Sequence, residues 1–510
     1  MLVKTFGYAV QGINATKITV EVNISTGVNF YMVGLPDNAV KESQQRIDTA
    51  LKQLGLKIPG KSVTINLAPA DIRKEGSAYD LTIAVGILGA NEQLKNEYLG
   101  ECVIMGELAL DGGLRPIKGA LPIAIQAKKD GFKTIILPKE NAPEAAVVDG
   151  LEVLVADNLA DVIKFFNSEI KLNPCIVNLN TTFNTSYTNV EFDFSDVKGQ
   201  ENIKRALEIA AAGGHNAILI GPPGAGKTML SKRLPSILPP LTLDEALETT
   251  KIHSVAGKGG KGLIVQRPFR SPHHTISDVA LVGGGNNPQP GEISLAHNGV
   301  LFLDELPEFK RTVLEVMRQP LEDRVVNISR AKFSVDYPAS FMLVASMNPC
   351  PCGYYNHPEK ECVCAPGVVQ KYLNKISGPL LDRIDLHVEV TPVAFNELSK
   401  QTESESSESI RNRVVKARII QNERFLSQPE IYCNAQMKTK DLSVYCKLTE
   451  SGVTLLKNAM ERLGLSARAY DRILKVSRTI ADLDSSLNIE TQHLAEAIQY
   501  RSLDREGWAG

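Results

Sequence analysis

The chain has 510 residues, 43% of them hydrophobic, and a formal net charge of −2 at pH 7. This length predicts about three domains with several cores, and the near-zero charge excludes a chain-wide polyelectrolyte, so any nucleic-acid surface is expected to be a local patch or to arise by assembly. There is no secretory signal pattern and no run of about 18 apolar residues, so we expect a cytoplasmic protein without a membrane partner.

Residues 1–168 alternate β-rich and helical stretches and are predicted to form an N-terminal domain. A period of two residues indicates strands, and a period near 3.6 indicates helices. The predicted elements are strands at 18–24, 62–67 and 134–138 and helices at 38–54 and 122–129. Residues 169–191 are rich in Asn and Thr with little periodicity, which predicts a linker.

A glycine-rich loop follows the apolar run at 218–220 and precedes a helix-competent stretch. Its residues are Gly221, Pro222, Pro223, Gly224, Ala225, Gly226, Lys227 and Thr228. The backbone N–H groups of such a loop surround a polyphosphate, the lysine places a charge on the outer phosphates, and the threonine hydroxyl is a ligand for Mg²⁺. The order of strand, loop and helix therefore predicts an ATP site.

A second apolar run, at 299–303, ends in Asp304 and Glu305. Buried parallel strands have this composition, and ligands of open α/β sheets bind at the carboxyl ends of such strands. We expect Asp304 to hold Mg²⁺ through water and Glu305 to orient and activate the attacking water. The alternative is a strand that ends in a solvated acidic turn.

Four of the eight cysteines form a C-x-C-x₉-C-x-C pattern in a predicted insert at 350–364; they are Cys350, Cys352, Cys362 and Cys364. Four thiolates from two close pairs suit a tetrahedral, closed Zn²⁺ site, which predicts a structural role. Free thiols and a disulfide are the alternatives, and a reducing cytosol disfavours the disulfide.

The predicted core spans 192–396. A polar, acidic stretch at 397–409 is predicted to be a link on the surface. Residues 410–510 are helical in pattern, with predicted helices at 410–423, 449–463, 467–483 and 491–500.

The core resembles an AAA+ ATPase of the magnesium-chelatase and MCM-like branch, and residues 194–200 resemble the segment before the first helix of that family. The resemblance makes Asn348 sensor 1, which positions the lytic water. It makes Arg383 the arginine finger and Arg468 the sensor 2 residue that reaches the γ-phosphate. The alternatives are a strand-end cap for Asn348, a local ion pair of Arg383 with Asp382 or Asp385, and an ordinary exposed helix position for Arg468.

Over its whole length the chain resembles the ComM/YifB family of competence-associated, magnesium-chelatase-like proteins, most distinctively at 348–353, 269–275 and 76–81. The resemblance implies an α/β fold: an AAA+ P-loop ATPase core, an N-terminal Lon-protease-like (ribosomal-protein-like α+β) domain and a C-terminal helical lid. It also implies a hexameric ATPase on DNA that drives branch migration of recombination intermediates.

Two segments are candidates for contact with DNA. The first carries Lys258, Lys261, Arg267 and Arg270, and the second is a predicted hairpin at 324–335 with Arg330 and Lys332 at its tip. Basic tips neutralise phosphates without reading sequence, so binding would depend on salt and be non-specific. Solvated basic loops are the alternative. His273 and His274 suggest a metal site only weakly, since no carboxylate pattern accompanies them.

Residues 106–117 and 133–138 carry the likeness to Lon proteases, whose nucleophilic serine is activated by a lysine. Matching the segments puts Ala78 at the serine position and Leu121 at the lysine position, with Ser77 and Lys118 displaced from them. Because a Ser–Lys pair must lie within hydrogen-bond reach, we expect no peptidase activity.

These features together predict an ATP-driven, hexameric branch-migration helicase that acts on DNA in homologous recombination or natural transformation. Two alternatives stay open: a motor subunit of a metal chelatase, and a chaperone-like scaffold that uses ATP only to assemble. Stimulation of the ATPase by DNA would distinguish a helicase from the chelatase motor. Assays of junction migration would distinguish a helicase from the scaffold.

Overall fold

The computed structural model describes residues 2–95, 98–179, 192–259, 262–285, 288–330, 333–355, 357, 359–392, 404–428 and 430–501. Much of the predicted linker at 169–191 and of the predicted link at 397–409 lies outside these ranges, as do Lys261 and Lys332. Within them, no helix is both long enough and apolar enough to cross a bilayer.

The N-terminal region is built on a mixed seven-stranded sheet in the order β3-β4-β2-β1-β5-β8-β9. Its strands are β1 (Leu2–Gln11), β2 (Asn14–Ser25), β3 (Phe30–Val33), β4 (Ser62–Ala68), β5 (Cys102–Ile104), β8 (Thr134–Pro138) and β9 (Glu152–Ala156), with β6 (Glu107–Leu108) and β7 (Leu114–Arg115) forming a separate pair. The three predicted strands are confirmed: β2 and β4 alternate between more and less buried side chains, and β8 is buried over Ile135–Pro138.

Six helices of the described residues accompany this sheet. They are α1 (Asn38–Lys41), α2 (Ser43–Gln53), α3 (Asp80–Ala90), α4 (Ala120–Lys129), α5 (Ala142–Ala145) and α6 (Leu159–Phe166). The predicted helix at 38–54 is divided at Glu42, and the predicted helix at 122–129 begins two residues earlier. One continuous hydrophobic core joins the helices to the sheet.

The central region contains a five-stranded, all-parallel sheet in the order β11-β14-β17-β10-β18. Three of its strands are buried along their whole length, as expected of a sheet covered on both faces. The strands are β10 (Ala217–Ile220), β11 (Phe269–Arg270), β14 (Val300–Leu303), β17 (Met342–Met347) and β18 (Leu386–Glu389).

Two antiparallel pairs lie beside this sheet: β12 (Gly283–Gly284) with β13 (Gln289–Pro290), and β15 (Val325–Arg330) with β16 (Phe333–Pro338). The second pair confirms the predicted hairpin. The helices of this region are α7 (Glu201–Gly213), α8 (Lys227–Arg233), α9 (Leu243–Val255), α10 (Asp278–Val282), α11 (Glu292–Leu295), α12 (Arg311–Glu315), α13 (Arg318–Asp323), α14 (Pro366–Leu373) and α15 (Gly378–Leu381).

The C-terminal region is helical: α16 (Ser407–Arg424), α17 (Thr439–Tyr445), α18 (Glu450–Leu463), α19 (Ala467–Leu483) and α20 (Thr491–Gln499). All four predicted helices are confirmed to within three residues. Its buried apolar side chains form one hydrophobic cluster with those of α7 and the parallel sheet. The helical region is therefore packed on the central region.

The N-terminal region contacts the central region at two places. Helix α4 packs on α9, where the Gly119 N–H donates to the Ser254 carbonyl at 3.1 Å and Leu121 joins a small apolar cluster with Ala246. The β1–β2 turn reaches the β15–β16 hairpin, where a Cβ added at Gly12 would lie 2.6 Å from Val335 Cγ1. The N-terminal region thereby contacts strand β16 of the hairpin.

Candidate nucleotide site

The glycine-rich loop joins the end of β10 to α8, as the sequence predicts. Gly224 and Gly226 adopt left-handed backbone with φ of 79° and 85°, a conformation that costs other residues free energy. Gln200, in the segment before α7, supports the loop because its side-chain amide donates to the Ala225 carbonyl at 2.9 Å. The loop therefore has a fixed curvature.

Lys227 lies inside this curve. Its Nζ donates to the Gly221 carbonyl at 2.7 Å, to the Pro222 carbonyl at 2.9 Å and to Asn348 Oδ1 at 3.1 Å. Burial lowers the pKa of Lys227, whereas Asp304 and Glu305 raise it. The contact with Asn348 brings the predicted sensor 1 residue to the glycine-rich loop, although 121 positions separate the two in sequence.

Thr228 and Asp304 meet at the carboxyl ends of β10 and β14. The Thr228 hydroxyl donates to Asp304 Oδ2 at 2.7 Å, and the Ser346 hydroxyl donates to the other carboxylate oxygen. Hydroxyl and carboxylate oxygens are the donors that Mg²⁺ prefers, usually with several waters kept. The residues present therefore fit a magnesium ion, and Thr228 and Asp304 are the ones that would hold it.

Glu305 occupies a strained turn just after β14. Its φ is 56°, an unfavourable left-handed value for a non-glycine residue that persists only where the surroundings enforce it. The side chain is 58% exposed, and its Oε2 lies 3.6 Å from His274 Nδ1. His274 is thus a neighbour of the candidate catalytic carboxylate. The sequence does not predict this contact, because His274 lies in the loop after β11 and Glu305 in the turn after β14.

A cleft of about 440 Å³ opens beside Glu305 and Asn348. The side chains that form its other walls are Glu308, Pro351, Val368, Lys371, Tyr372 and Lys375. Since Asn348 also contacts Lys227, this cleft continues the glycine-rich loop on the side of helix α14.

Arg383 lies at the opposite edge of the same sheet. It comes three residues before β18, which runs parallel to β10 with Ala217 beside Leu386, whereas the glycine-rich loop follows the carboxyl end of β10. A strand of four residues spans about 13 Å. The guanidinium donates to the Pro379 carbonyl at 2.6 Å and to the Glu322 carboxylate. Neither Asp382 nor Asp385 is its partner, so the local pair expected as the alternative is replaced by one with Glu322.

Arg468 is found at this same edge, in the first turn of α19. Its Nη1 donates to Asp382 Oδ2 at 3.2 Å, and the side chain is 63% exposed. One turn further, Arg472 pairs with Asp385 Oδ1 at 3.0 Å. Burial raises the pKa of Asp385, but the nearby Arg472 and His215 lower it by more, so the pKa of this carboxyl is below its usual value. The two candidate arginines therefore share one edge, away from the glycine-rich loop of their own chain.

Comparisons with known proteins match all three regions of the chain to one family of proteins. Residues 193–398 match the family described as magnesium chelatase, subunit ChlI; residues 20–141 match subunit ChlI of Mg-chelatase; and residues 404–501 match its C-terminal part. The chain is 47% identical to YifB of Escherichia coli K12 over 98% of this chain and 96% of YifB. It is 45% identical to the competence protein ComM of Haemophilus influenzae over 98% of this chain and 97% of ComM.

The chain belongs to the ComM/YifB family. As a ComM/YifB protein it has the magnesium-chelatase-like AAA+ core that these matches describe, and that class implies ATP and Mg²⁺ as ligands. A separate, weaker likeness links it to Lon protease 2 of Bacillus subtilis, at 29% identity over 26% of this chain and 23% of the protease.

The four cysteines of this ComM/YifB chain converge. Their ligand atoms all lie within 4.8 Å of one another, and the Sγ–Sγ distances are 3.3 Å for Cys350–Cys352, 3.6 Å for Cys350–Cys362 and 3.5 Å for Cys352–Cys362. Tetrahedral zinc, with Zn–S near 2.3 Å, needs sulfurs about 3.8 Å apart. Burial raises the pKa of the Cys352 thiol, but hydrogen bonds led by that from the Tyr354 backbone bring it down to about 6. The donor set fits Zn²⁺.

Two of the residues predicted to contact DNA, Arg267 and Arg270, are paired with carboxylates of the same chain. Arg267 is only 13% exposed; it forms a forked pair with Glu245 at 3.0 Å and donates to the Pro239 and Asn298 carbonyls at 2.7 and 2.8 Å. Arg270 donates to both oxygens of Glu292 at 2.6 and 2.8 Å. A guanidinium held in this way is a structural link.

The other predicted DNA contacts also stay predictions. Lys258 is 45% exposed and lies 3.8 Å from Glu292. Arg330 ends β15, where its backbone pairs with Phe333, so the tip of the hairpin is where the sequence predicts it. Lys261 and Lys332 are outside the described residues.

Ser77 and Lys118 have different partners. The Ser77 hydroxyl donates to the Glu107 carboxylate, and the Lys118 side chain lies against Gly257 of the central region, where an added Cβ would come within 2.9 Å of Lys118 Cε. This arrangement is consistent with the expected lack of a Ser–Lys pair, and it gives Lys118 a role in the contact between regions.

Proposed function

We propose that the protein is an ATP-driven, hexameric DNA motor: a branch-migration helicase that acts on recombination intermediates. The observation that carries the proposal is the division of the candidate site between two edges of one sheet. The glycine-rich loop, Asp304 and Glu305 lie at the carboxyl edge, and Arg383 lies at the amino edge. A head-to-tail ring brings the two edges of neighbouring chains together.

Each residue at the carboxyl edge has a defined task. Lys227 and the loop N–H groups bind the β- and γ-phosphates, and Thr228 and Asp304 hold the magnesium ion, which neutralises charge on the phosphates. Glu305, exposed beside the cleft, accepts the proton of the attacking water. Asn348 orients that water, since its Oδ1 is already fixed by Lys227 at 3.1 Å.

The neighbouring subunit completes the site with Arg383. Charge in phosphoryl transfer spreads over the equatorial oxygens, and a guanidinium supplied in trans raises the rate about 10³–10⁵-fold. The Arg383 Nε is buried and, among the described residues, has no hydrogen-bond partner, so the side chain would have to turn outward before it donates to a phosphate of the neighbour. Arg468, from the same edge, approaches the γ-phosphate alongside it.

DNA is the proposed substrate because the relative in Haemophilus influenzae is named a competence protein. The β15–β16 hairpin is the proposed contact, with Arg330 and Lys332 at the tip, supported by Lys258 and Lys261. Six copies of a small basic patch around a pore reconcile DNA binding with a net charge of −2. The N-terminal and C-terminal regions are proposed to assemble and brace the ring, without peptidase activity.

The ATPase rate, measured with and without a four-way DNA junction at several protein concentrations, tests this proposal. We expect the rate per chain to rise with concentration and with the junction. Glu305→Gln should bind ATP, lose hydrolysis about 10²-fold or more and accumulate as an assembled ring. Glu308→Gln, a nearby carboxylate of the cleft, should retain most of the rate. A concentration-independent rate that ignores DNA would refute the motor.

A metal-chelatase motor subunit is the second candidate, since the magnesium-chelatase description matches all three regions. The two candidates differ in what stimulates hydrolysis. The ATPase rate of a chelatase motor would not change with four-way junctions, and the motor would require a separate porphyrin-binding partner. A helicase would move the junction without any partner protein.

A further inference from the structure

The cysteine cluster is connected to the nucleotide site at both of its ends. Cys350 comes two residues after Asn348, whose side chain binds Lys227. Cys364 comes two residues before α14 (Pro366–Leu373). Three side chains of that helix, Val368, Lys371 and Tyr372, line the same cleft as Glu305 and Asn348. Whatever holds the four sulfurs together therefore fixes the separation of α14 and Asn348.

A direct contact adds a third connection. Gly353, in the turn after Cys352, has φ of 86°, and a Cβ added there would lie 2.4 Å from Pro223 Cδ of the glycine-rich loop. No side chain fits at that distance. The turn is closed by the Gly353 N–H, which donates to the Cys350 carbonyl at 3.0 Å. The turn Cys350–Gly353 thus packs directly on the glycine-rich loop.

At 3.3–3.6 Å, neutral thiols form only weak S–H···S hydrogen bonds, whereas a bound cation such as Zn²⁺ would hold the four sulfurs as thiolates by offsetting their repulsion. Without that cation, only these weak bonds and the backbone bonds of the turn hold Gly353 against Pro223. The metal would therefore act on the shape of the glycine-rich loop as well as on local folding.

Resting on the nucleotide site proposed above, we infer that the four cysteines form a zinc site whose occupancy is coupled to nucleotide binding through the Gly353–Pro223 contact. Coupling between two binding equilibria is reciprocal. Zinc should raise the affinity for nucleotide, and bound nucleotide should raise the affinity for zinc by the same factor. Because affinity differences between related complexes lie mostly in the dissociation rate, we expect this gain to be seen as slower release of zinc. Typical couplings amount to about 5–150-fold.

The test uses the full-length wild-type protein and measures zinc as well as nucleotide. Elemental analysis should give one zinc per chain. Release of zinc to the chromophoric chelator 4-(2-pyridylazo)resorcinol is then followed with and without saturating ADP and Mg²⁺, and we expect release to be at least about fivefold slower with ADP. Lys227→Ala should keep its zinc and lose this protection.

A matched pair of glycine variants locates the contact. Gly353→Ala should lower the affinity for a fluorescent ADP analogue about tenfold, because the added methyl group displaces Pro223. Gly367→Ala, in the first turn of α14 where an added Cβ meets nothing within 4 Å, should leave both affinity and zinc release unchanged.

Equal release rates with and without bound ADP, or a protein purified from zinc-replete cells without zinc, would overturn the inference. Binding of the ADP analogue is measured separately, so a wild-type protein that carries zinc but binds no nucleotide would instead show that the proposed nucleotide site itself is wrong, and the coupling with it.

Discussion

The two edges of the parallel sheet differ in how completely their side chains are engaged. At the carboxyl edge, Lys227 donates to Asn348, and Thr228 and Ser346 both donate to Asp304. At the amino edge, Arg383 and Arg468 are held by single carboxylates of Glu322 and Asp382, and these carboxylates are 62% and 30% exposed. One edge is a preformed candidate binding site. At the other edge Arg468 is exposed, whereas Arg383 is only 11% exposed and would have to leave Glu322 to reach a phosphate.

Under the proposed function, this difference means that the active unit is larger than one chain. A site that binds nucleotide yet lacks the charge for its cleavage is inactive until a neighbour docks, which ties hydrolysis to assembly. The following substitutions separate the edges, from the largest expected effect to the smallest.

Arg383→Ala should lower the hydrolysis rate about 10³-fold and leave the Kd for nucleotide within about twofold, because a trans guanidinium acts on the transition state. Arg383→Lys should fail to rescue the rate, since an ammonium lacks the planar fork. Steady-state ATPase assays and titration with a fluorescent ATP analogue measure the two quantities. The control is Arg462→Ala, an exposed arginine of α18. Weakened binding equal to the loss of rate would place Arg383 in its own chain's site.

Lys227→Ala should have the opposite profile, with the Kd for ATP raised about 100-fold through loss of charged hydrogen bonds. Lys232→Ala, an exposed lysine on the same short helix, should bind as the wild type does. The same fluorescent titration measures both variants. If the two lysines were equivalent, the glycine-rich loop would not be the binding site.

Arg468→Ala should lower hydrolysis about tenfold, less than Arg383→Ala, because its side chain is 63% exposed and is held by one exposed pair. Such a pair contributes little to stability, so the denaturation midpoint should barely change. Thermal denaturation beside the ATPase assay checks this. A loss of stability that accounts for the loss of rate would make Arg468 a structural residue.

Charge crowding at the amino edge has a cost in stability. The pKa of Lys475 is lowered to about 8, mainly by burial and secondly by repulsion from Arg472. In an unfolded chain the pKa of a lysine is about 10.4. Below pH 8 both states are protonated and the folded state bears the full cost; between pH 8 and 10.4 the unfolded chain binds more protons, so stability rises with pH.

Lys475→Met should therefore raise the free energy of unfolding at pH 7 by about 1–2 kcal/mol, offset in part by loss of the hydrogen bond to the Ala435 carbonyl. The gain should vanish towards pH 10. Chemical denaturation at pH 7 and pH 10 measures it, and a gain that is the same at both values would mean that the amine is not desolvated in the fold.

Local patterns in the sequence predict much of the fold and, within the candidate site, the residues at the carboxyl edge of the parallel sheet. The glycine-rich loop, the strand before Asp304 and the helix α19 each carry their signal within about 20 residues, so their predictions are confirmed. Helix α3 was missed because all eleven of its residues are buried, and a helix without a polar face has no period to detect.

The rest of the site depends on long-range pairing that no local pattern encodes. The partner of Arg383 is 61 positions away, and His274 meets Glu305 across two loops. The pairing of the basic segment at 258–270 depends on the fold in the same way: Arg267 pairs with Glu245 and Arg270 with Glu292, each 22 positions away.

Mixing two inactive variants tests the central claim most directly. Lys227→Ala keeps the arginine edge, and Arg383→Ala keeps the nucleotide edge, so a mixed ring contains some complete sites. We predict that a 1:1 mixture, with subunits exchanged at random, recovers about a quarter of the wild-type ATPase rate. A mixture that assembles but hydrolyses ATP no faster than the sum of its two components would contradict a site shared between subunits.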